Sequence, residues 1–138
     1  MILYNNSLIK INYNPATDIL DIAYPDLHEY LLPEIRHSID KLVENIISYD
    51  VKRLLLDSSH TIVAVEPEKS REVTTYLVAG ISKTRIQKLA RLQSFNPSVE
   101  STAENNIRHV NQIMSLPFEL RNFTSRDLAT QWLAEELL

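Results

Sequence analysis

The apolar and polar positions of this chain form alternating strand-like and helix-like segments. Near the amino terminus, apolar residues alternate with polar ones over residues 7–13 and again over 19–24, and residues 14–18 between them are rich in turn formers. Alternation places one set of side chains on each face of a strand, so these segments predict an antiparallel hairpin with one solvated face. Residues 53–57 instead contain three consecutive leucines. Such a run is typical of a strand buried on both faces in the middle of a parallel sheet.

Helical spacing of apolar residues recurs in four later segments. Proline opens or precedes three of them, and its missing N–H costs nothing in the first turn of a helix. We predict these helices from about Pro33, from Pro67 to about Ile81, and from Pro97 to a stop at Pro117. Strands are predicted over 84–93 and 118–123. Residues 26–32 remain ambiguous, and 58–66 are predicted to be irregular apart from a short strand that 62–65 could form.

The carboxyl-terminal segment has the clearest strand-to-helix transition. The predicted strand 118–123 is followed by a cap-like run, residues 124–127, whose side chains can satisfy the free N–H groups of a new helix. The helical stripe that follows consists of Leu128, Ala129, Trp132, Leu133 and Leu137. We expect Trp132 to pack on the sheet.

These elements give the order β-β-α-β-α-β-α-β-α. Helices that follow strands imply crossover connections, so the core of the sheet should be mostly parallel, with the hairpin as an antiparallel addition. The predicted fold class is therefore α/β, with a mixed sheet of about five strands and about four helices. Residues 1–138 should form one domain, because 138 residues with 44% hydrophobic and 23% charged content are ordinary values for a single globular unit.

The charge balance bears on possible partners. The formal net charge is −4, so the average field repels a phosphate backbone and nucleic acid is not an expected partner. Four basic residues lie close together in sequence: Lys83, Arg85, Lys88 and Arg91. We interpret them as a solvated edge strand, because edge strands use positive charge to block unwanted pairing.

Two residue counts exclude several kinds of site. Cysteine is absent, which excludes disulfides, thiolate catalysis and cysteine-ligated metals. Gly80 is the one glycine, whereas phosphate loops, dinucleotide fingerprints and nucleophile elbows need glycine where the backbone approaches a ligand or turns sharply. No histidine pair has the i, i+4 spacing of a metal-binding helix. We therefore expect no cofactor and no metal.

Neither a signal peptide nor a transmembrane segment is expected. The first ten residues lack a basic region followed by an apolar run. No apolar segment of the sequence approaches the ~20 residues that cross a bilayer. We therefore expect a cytoplasmic protein without membrane insertion.

The element order resembles that of a known family. The opening hairpin, the strand Leu54-Leu55-Leu56-Asp57, the proline-started helix and the closing Phe123-Thr124-Ser125-x-x-Leu128-Ala129-x-x-Trp132-Leu133 resemble the SpoIIAA-like branch of the STAS domains, a group that includes the anti-sigma-factor antagonists. The resemblance covers nearly the whole chain. It implies a small sheet with packed helices, no cofactor, and binding of a partner rather than catalysis.

One motif of this chain is similar to the phosphorylation motif of that family. Asp57-Ser58-Ser59 is similar to the Asp-Ser-Ser-Gly in which the antagonists carry a phosphorylated serine, but His60 stands in place of the glycine. The triplet also directly follows the buried strand, where the antagonists place an earlier aspartate. The register thus argues against phosphorylation. We expect Asp57 and the serines to bond backbone groups at the strand end.

The predicted functional site is the loop beyond the central strand, because ligands of open α/β sheets collect at the carboxyl ends of parallel strands. The candidate ligand- or partner-binding residues are Asp57, Ser58, Ser59, His60 and Glu66. Ser59 and His60 are sequence neighbours, which point apart in an extended segment and do not indicate a nucleophile–base pair. Tyr24 and Tyr30 flank the ambiguous loop after the hairpin and could line a cleft.

Three functions remain open. The preferred one is a non-enzymatic protein-interaction or regulatory module, which could form a homodimer through an unpaired sheet edge or the apolar Leu137-Leu138 end. A carrier or sensor of a small apolar ligand would need a cavity of a few hundred Å³. A hydrolase-type enzyme would need Asp57, His60 and Glu66 to converge within hydrogen-bond reach.

Overall fold

The strand with three consecutive leucines lies inside a six-stranded mixed sheet. The computed structural model describes residues 1–135. Along the chain, the strands are β1 (Ile2–Asn5), β2 (Lys10–Asn14), β3 (Ile19–Ala23), β4 (Leu27–His28), β5 (Arg53–Asp57), β6 (Val63–Ala64), β7 (Lys88–Leu92) and β8 (Glu119–Phe123). The main sheet has the order β1-β2-β3-β5-β7-β8. Its first three strands are antiparallel, and β3, β5, β7 and β8 are parallel. The predicted hairpin and mostly parallel core are thus confirmed.

Four α-helices cover the sheet unequally. They are α1 (Leu32–Ser48), α2 (Pro67–Ile81), α3 (Pro97–Ile113) and α4 (Arg126–Ala134). The buried residues of α1, α2 and α3 share the larger core with Leu54 and Leu56 of β5, whereas those of α4 share a second core with Leu55. Because neighbouring side chains of a strand point to opposite faces, the three leucines fill both cores. The prediction of a strand buried on both faces is confirmed.

A second, two-stranded parallel sheet lies at the carboxyl ends of β3 and β5, where each strand of the main sheet gives way to a loop. It pairs β4 with β6. Residues 29–31 then form a short 3-10 helix that leads into α1. The short strand that 62–65 could form is therefore real. Two strands went unpredicted: β4 in the ambiguous loop, and β1, which pairs with β2 at the edge of the main sheet.

The prediction of a solvated edge over residues 83–91 is wrong for Lys88 and Arg91. β7 lies between β5 and β8, and all five of its residues are buried. Nζ of Lys88 donates hydrogen bonds to the carbonyl oxygens of Trp132, at 2.8 Å, and Glu135, at 3.2 Å. It also lies 4.9 Å from the centre of the Trp132 ring. The buried ammonium thus supplies the positive charge that the carboxyl end of a helix favours. Specific partners, rather than solvent, accommodate the charge.

Helix spacing predicts some inward faces better than others. Trp132 packs on the sheet as expected, with Ala129 and Leu133 buried beside it, but Leu128 is exposed and Leu137 lies outside the described residues. In α3, Val110 is buried as predicted. Ala103, Ile107 and Met114 are only half-buried, and Tyr76 of α2 is half-buried too.

Gly80 has a packing role. A Cβ built at this position lies 2.9 Å from Cγ2 of Val43, so the glycine permits close approach of α2 to α1. Across residues 1–135, no helix combines the length and the apolar character needed to cross a bilayer.

Replacing Leu54 with Ala tests the central position of β5. Leu54 is fully buried, so we expect the free energy of unfolding to fall by about 2–5 kcal/mol, from lost burial plus the cavity left behind. Leu128→Ala makes the same change at an exposed site of α4 and should stay within about 0.5 kcal/mol of the parent. Urea denaturation measures both. Equal effects of the two substitutions would contradict the topology.

Candidate functional site

Asp57, the last residue of β5, is held by hydrogen bonds on both carboxylate oxygens. Its Oδ1 accepts from the backbone N of Ser59, at 2.9 Å, and from Oγ of Ser59, at 2.5 Å. Its Oδ2 accepts from Nη2 of Arg126 at 3.0 Å, and Nη1 of Arg126 donates to Asp21 at 2.6 Å. Burial of Asp57 opposes its ionisation, but the bonds from Ser59 and Arg126 outweigh it and hold the pKa of Asp57 below its usual value. Arg126 thereby attaches the start of α4 to β3 and β5.

The remaining predicted site residues point to different surroundings. Ser58 is buried, and its backbone N donates to the carbonyl oxygen of Leu92 at 3.2 Å. The ring of His60 lies edge-on to Phe95, with 5.1 Å between centroids. Glu66 precedes the first residue of α2, but its side chain does not cap the helix. Of Asp57, His60 and Glu66, none is hydrogen-bonded to another within residues 1–135. The geometry expected of an acid–base enzyme is not formed by these three.

An open crevice of about 270 Å³ lies beside the end of β5. Its lining comes from the turn before β2 and from the loops after β3 and β5: Leu8, Ala23, Tyr24, Pro25, Asp26, Asp57, His60 and Thr61. The crevice contains two of the five predicted site residues. It also contains Tyr24, which the sequence suggests as a cleft residue.

A second space lies deeper, between the sheet and helices α2 and α3. It is a largely apolar cavity of about 60 Å³, and Tyr24 and Thr61 line both it and the crevice. Oγ1 of Thr61 donates to the carbonyl oxygen of Tyr24 at 3.0 Å, which fixes the two loops to each other. The cavity alone is smaller than the few hundred Å³ that an apolar-ligand carrier needs. Burial raises the pKa of Tyr24 to about 12, so its hydroxyl is neutral.

A buried ion pair at the start of α3 adjoins this cavity. Both terminal nitrogens of the Arg91 guanidinium donate to Glu100, Nη1 at 2.9 Å and Nη2 at 2.7 Å, and the backbone N of Ser94 donates to the same carboxylate at 2.8 Å. Burial opposes ionisation of Glu100, but these bonds prevail and hold its pKa below the usual value. The ion pair fixes the first turn of α3 to β7. The sequence did not suggest it, because the pairing partner lies on another element.

Large apolar side chains are exposed on three loops at the carboxyl ends of the parallel strands. Tyr30, Phe95 and Ile62 are 78%, 69% and 55% exposed. His28 stacks on Tyr30 with centroids 5.7 Å apart, whereas His60 contacts Phe95 edge-on. We refer to these five residues as the carboxyl-edge surface. Phe95 and Ile62 went unpredicted, because an apolar loop residue has no periodic pattern to reveal it.

Backbone hydrogen bonds join the three loops. The N–H of Leu27, next to His28, donates to the carbonyl oxygen of Ile62 at 2.8 Å. The N–H of Phe95 donates to the carbonyl oxygen of Ser59, next to His60, at 3.1 Å. These bonds hold the exposed side chains on a connected framework rather than on independent loops.

Four acidic residues lie in or directly beside the chain segments that carry the carboxyl-edge surface. Asp26, Glu29, Glu66 and Glu68 all lie in the same loops or in the first turn of α2. Within residues 1–135, none of the four forms a salt bridge. The backbone N of Ile62 donates to Asp26 at 2.8 Å. The surface therefore combines exposed aromatic groups with uncompensated negative charge.

Comparison with known proteins adds no relative. No protein-family model, no curated protein and no solved structure matches this chain. The resemblance to STAS domains accordingly stays a prediction.

Replacing Arg91 with Met leaves the Glu100 carboxylate partly buried without its cation. We expect the free energy of unfolding at neutral pH to fall by about 3–5 kcal/mol. The double variant Arg91→Met/Glu100→Leu should recover most of that loss, because no uncompensated charge remains. Urea denaturation of the three proteins measures both effects.

The difference in the free energy of unfolding between the parent protein and Arg91→Met should depend on pH. The folded-state pKa of Glu100 lies below its unfolded value, so its contribution is present above an unfolded pKa of about 4.3 and is lost as pH falls through the folded pKa. The stability gap between the parent protein and Arg91→Met should therefore narrow below about pH 4. A gap that stays constant on acidification would show that the ion pair is not its source.

Proposed function

We propose that the protein is a non-enzymatic interaction module that binds another protein through the carboxyl-edge surface. The observation that carries this proposal is the exposure of Tyr30, Ile62 and Phe95 on three loops joined by backbone hydrogen bonds. The cores of protein interfaces are enriched in aromatic residues, and a few such anchors supply most of the binding energy. The resemblance to STAS domains implies the same kind of role.

The ring contacts with histidine favour binding in a second way. Tyr30 contacts His28 and Phe95 contacts His60, so each exposed ring already has a neighbour that restricts its rotamers. Immobilising a free side chain costs about 0.5–1.5 kcal/mol on association. Partial ordering before binding reduces that cost. The two exposed rings are therefore partly ordered before a partner binds.

The surrounding carboxylates indicate the partner's chemistry. Asp26, Glu29, Glu66 and Glu68 favour a segment that carries lysine or arginine beside apolar side chains. A second copy of this chain, docked by two-fold symmetry, would bring the same acidic groups face to face, and like charges across an interface are unfavourable. The surface therefore favours a different protein over the homodimer. The same charge disfavours nucleic acid.

Selection from a library of random peptides tests the proposal. Peptides that bind the immobilised protein should be enriched in basic and apolar residues, and their affinity should fall as salt is raised. The variant Phe95→Ala should weaken the selected peptides at least about tenfold, the effect of losing ~1.4 kcal/mol at an interface anchor. Fluorescence anisotropy measures the affinities.

A matched control is available at the end of α3, which leads to the amino-terminal end of β8 and so lies away from the carboxyl-edge surface. Ile113 ends α3 and is 54% exposed, so Ile113→Ala removes a comparable apolar group away from the loops and should leave peptide affinity unchanged. The proposal fails if no basic and apolar peptides are enriched, or if Phe95→Ala and Ile113→Ala have the same effect.

A further inference from the structure

We propose that the cavity beneath Tyr24 binds a small neutral molecule with an apolar body and one hydrogen-bonding group, such as a short alcohol. This site does not depend on the carboxyl-edge surface. Protein interiors are packed to the density of organic crystals and contain few voids larger than a water molecule. An apolar space of about 60 Å³ is therefore unusual. Its apolar wall includes Leu56 of β5, Leu77 and Val78 of α2, Leu89 of β7 and Ile107 of α3.

Two buried polar side chains line this apolar space. Asn106 is 3% exposed, and its Nδ2 donates to Oγ of Ser70 at 3.0 Å and to Oγ1 of Thr74 at 3.4 Å. Its Oδ1 accepts no hydrogen bond from residues 1–135. Ser58 is 6% exposed, and its Oγ likewise has no hydrogen-bond partner in that range. Within residues 1–135, Nε of Arg53 is the one fully enclosed side-chain polar atom that lacks a hydrogen bond, so the oxygens of Asn106 and Ser58 that lack one are accessible from the cavity. A bound hydroxyl could donate to Asn106 and bond Ser58.

Charge and size restrict the ligand. Arg91 also lines the cavity, but its guanidinium already donates to Glu100 and to Oδ1 of Asn122. The site therefore offers no free cation for an anion, and a neutral ligand fits better. A cavity of about 150 Å³ holds benzene, so the space here accommodates a few heavy atoms. A longer chain would extend toward the crevice.

Tyr24 is the partition between cavity and crevice. Its backbone is fixed, because its N–H donates to the carbonyl oxygen of Asp57 at 2.8 Å and its carbonyl accepts from Thr61. Its side chain lines both spaces. Rotation of this side chain about χ1 would connect the cavity with the crevice without moving the strands. Entry past Tyr24 is therefore part of the proposal.

Titration of the protein with ethanol, followed by methyl NMR, tests the site. We expect saturable shifts and intermolecular NOEs at Leu77 and Ile107, which both line the cavity. The variant Ala103→Leu places a larger side chain into the same space and should abolish them. Ala134→Leu, the same change at an exposed position of α4, should leave them intact. The NOEs are read on the unmodified protein, so the test stands even if Ala103→Leu does not fold.

The partition is tested with a longer alcohol. Tyr24→Ala joins cavity and crevice and should bind 1-hexanol at least about tenfold more tightly than the parent does, since each added buried CH₂ contributes ~0.8 kcal/mol. Shifts that do not saturate, NOEs outside the cavity, or a cavity that holds water alone would overturn the site. An unchanged affinity of Tyr24→Ala for 1-hexanol would overturn the route of entry.

Discussion

Burial of two adjacent strands on both faces is the constraint on which the rest of this structure depends. β5 and β7 lie inside the sheet with helices on either side, so an unpartnered polar group in them would lose solvent without compensation. The two charged residues of β7 each have a dedicated partner: Lys88 bonds the end of α4, and Arg91 bonds the start of α3. The strands thereby fix the helices, and the exposed apolar residues Tyr30, Ile62 and Phe95 lie in the segments that follow the carboxyl ends of the parallel strands.

Helix α4 is held against the sheet by a small set of contacts. α4 has nine residues, and its buried side chains are Ala129, Trp132 and Leu133. Its amino end is tied by Arg126 to two strands, and its carboxyl end by Lys88. Because Asp57 receives one of these bonds, the residue at the centre of the predicted site has a structural role. The proposed recognition surface lies instead on the neighbouring loops, where Tyr30 and Phe95 are exposed.

Periodic patterns predicted the fold well, and the candidate site poorly. The leucines of β5 and the helix opened by Pro67 could be read from local sequence, since burial and capping act within a few residues. Lys88 and Arg91 suggested an exposed edge because their partners, Trp132, Glu135 and Glu100, lie outside β7 and have no pattern that links them to it. Phe95 and Ile62 could not be identified either. Their exposure depends on how three loops meet, which no local pattern encodes.

The most direct test of the central claim uses a photo-crosslinking amino acid in the protein's native host. Placed at Phe95 in the carboxyl-edge surface, it should give one discrete adduct with another protein, and the charge reversals Glu29→Lys and Glu66→Lys should suppress that adduct. Placed at Ile113, the last residue of α3, it should give none. Adducts of equal yield from both positions, or an adduct at Phe95 that ignores the charge reversals, would contradict recognition of a basic partner at this surface.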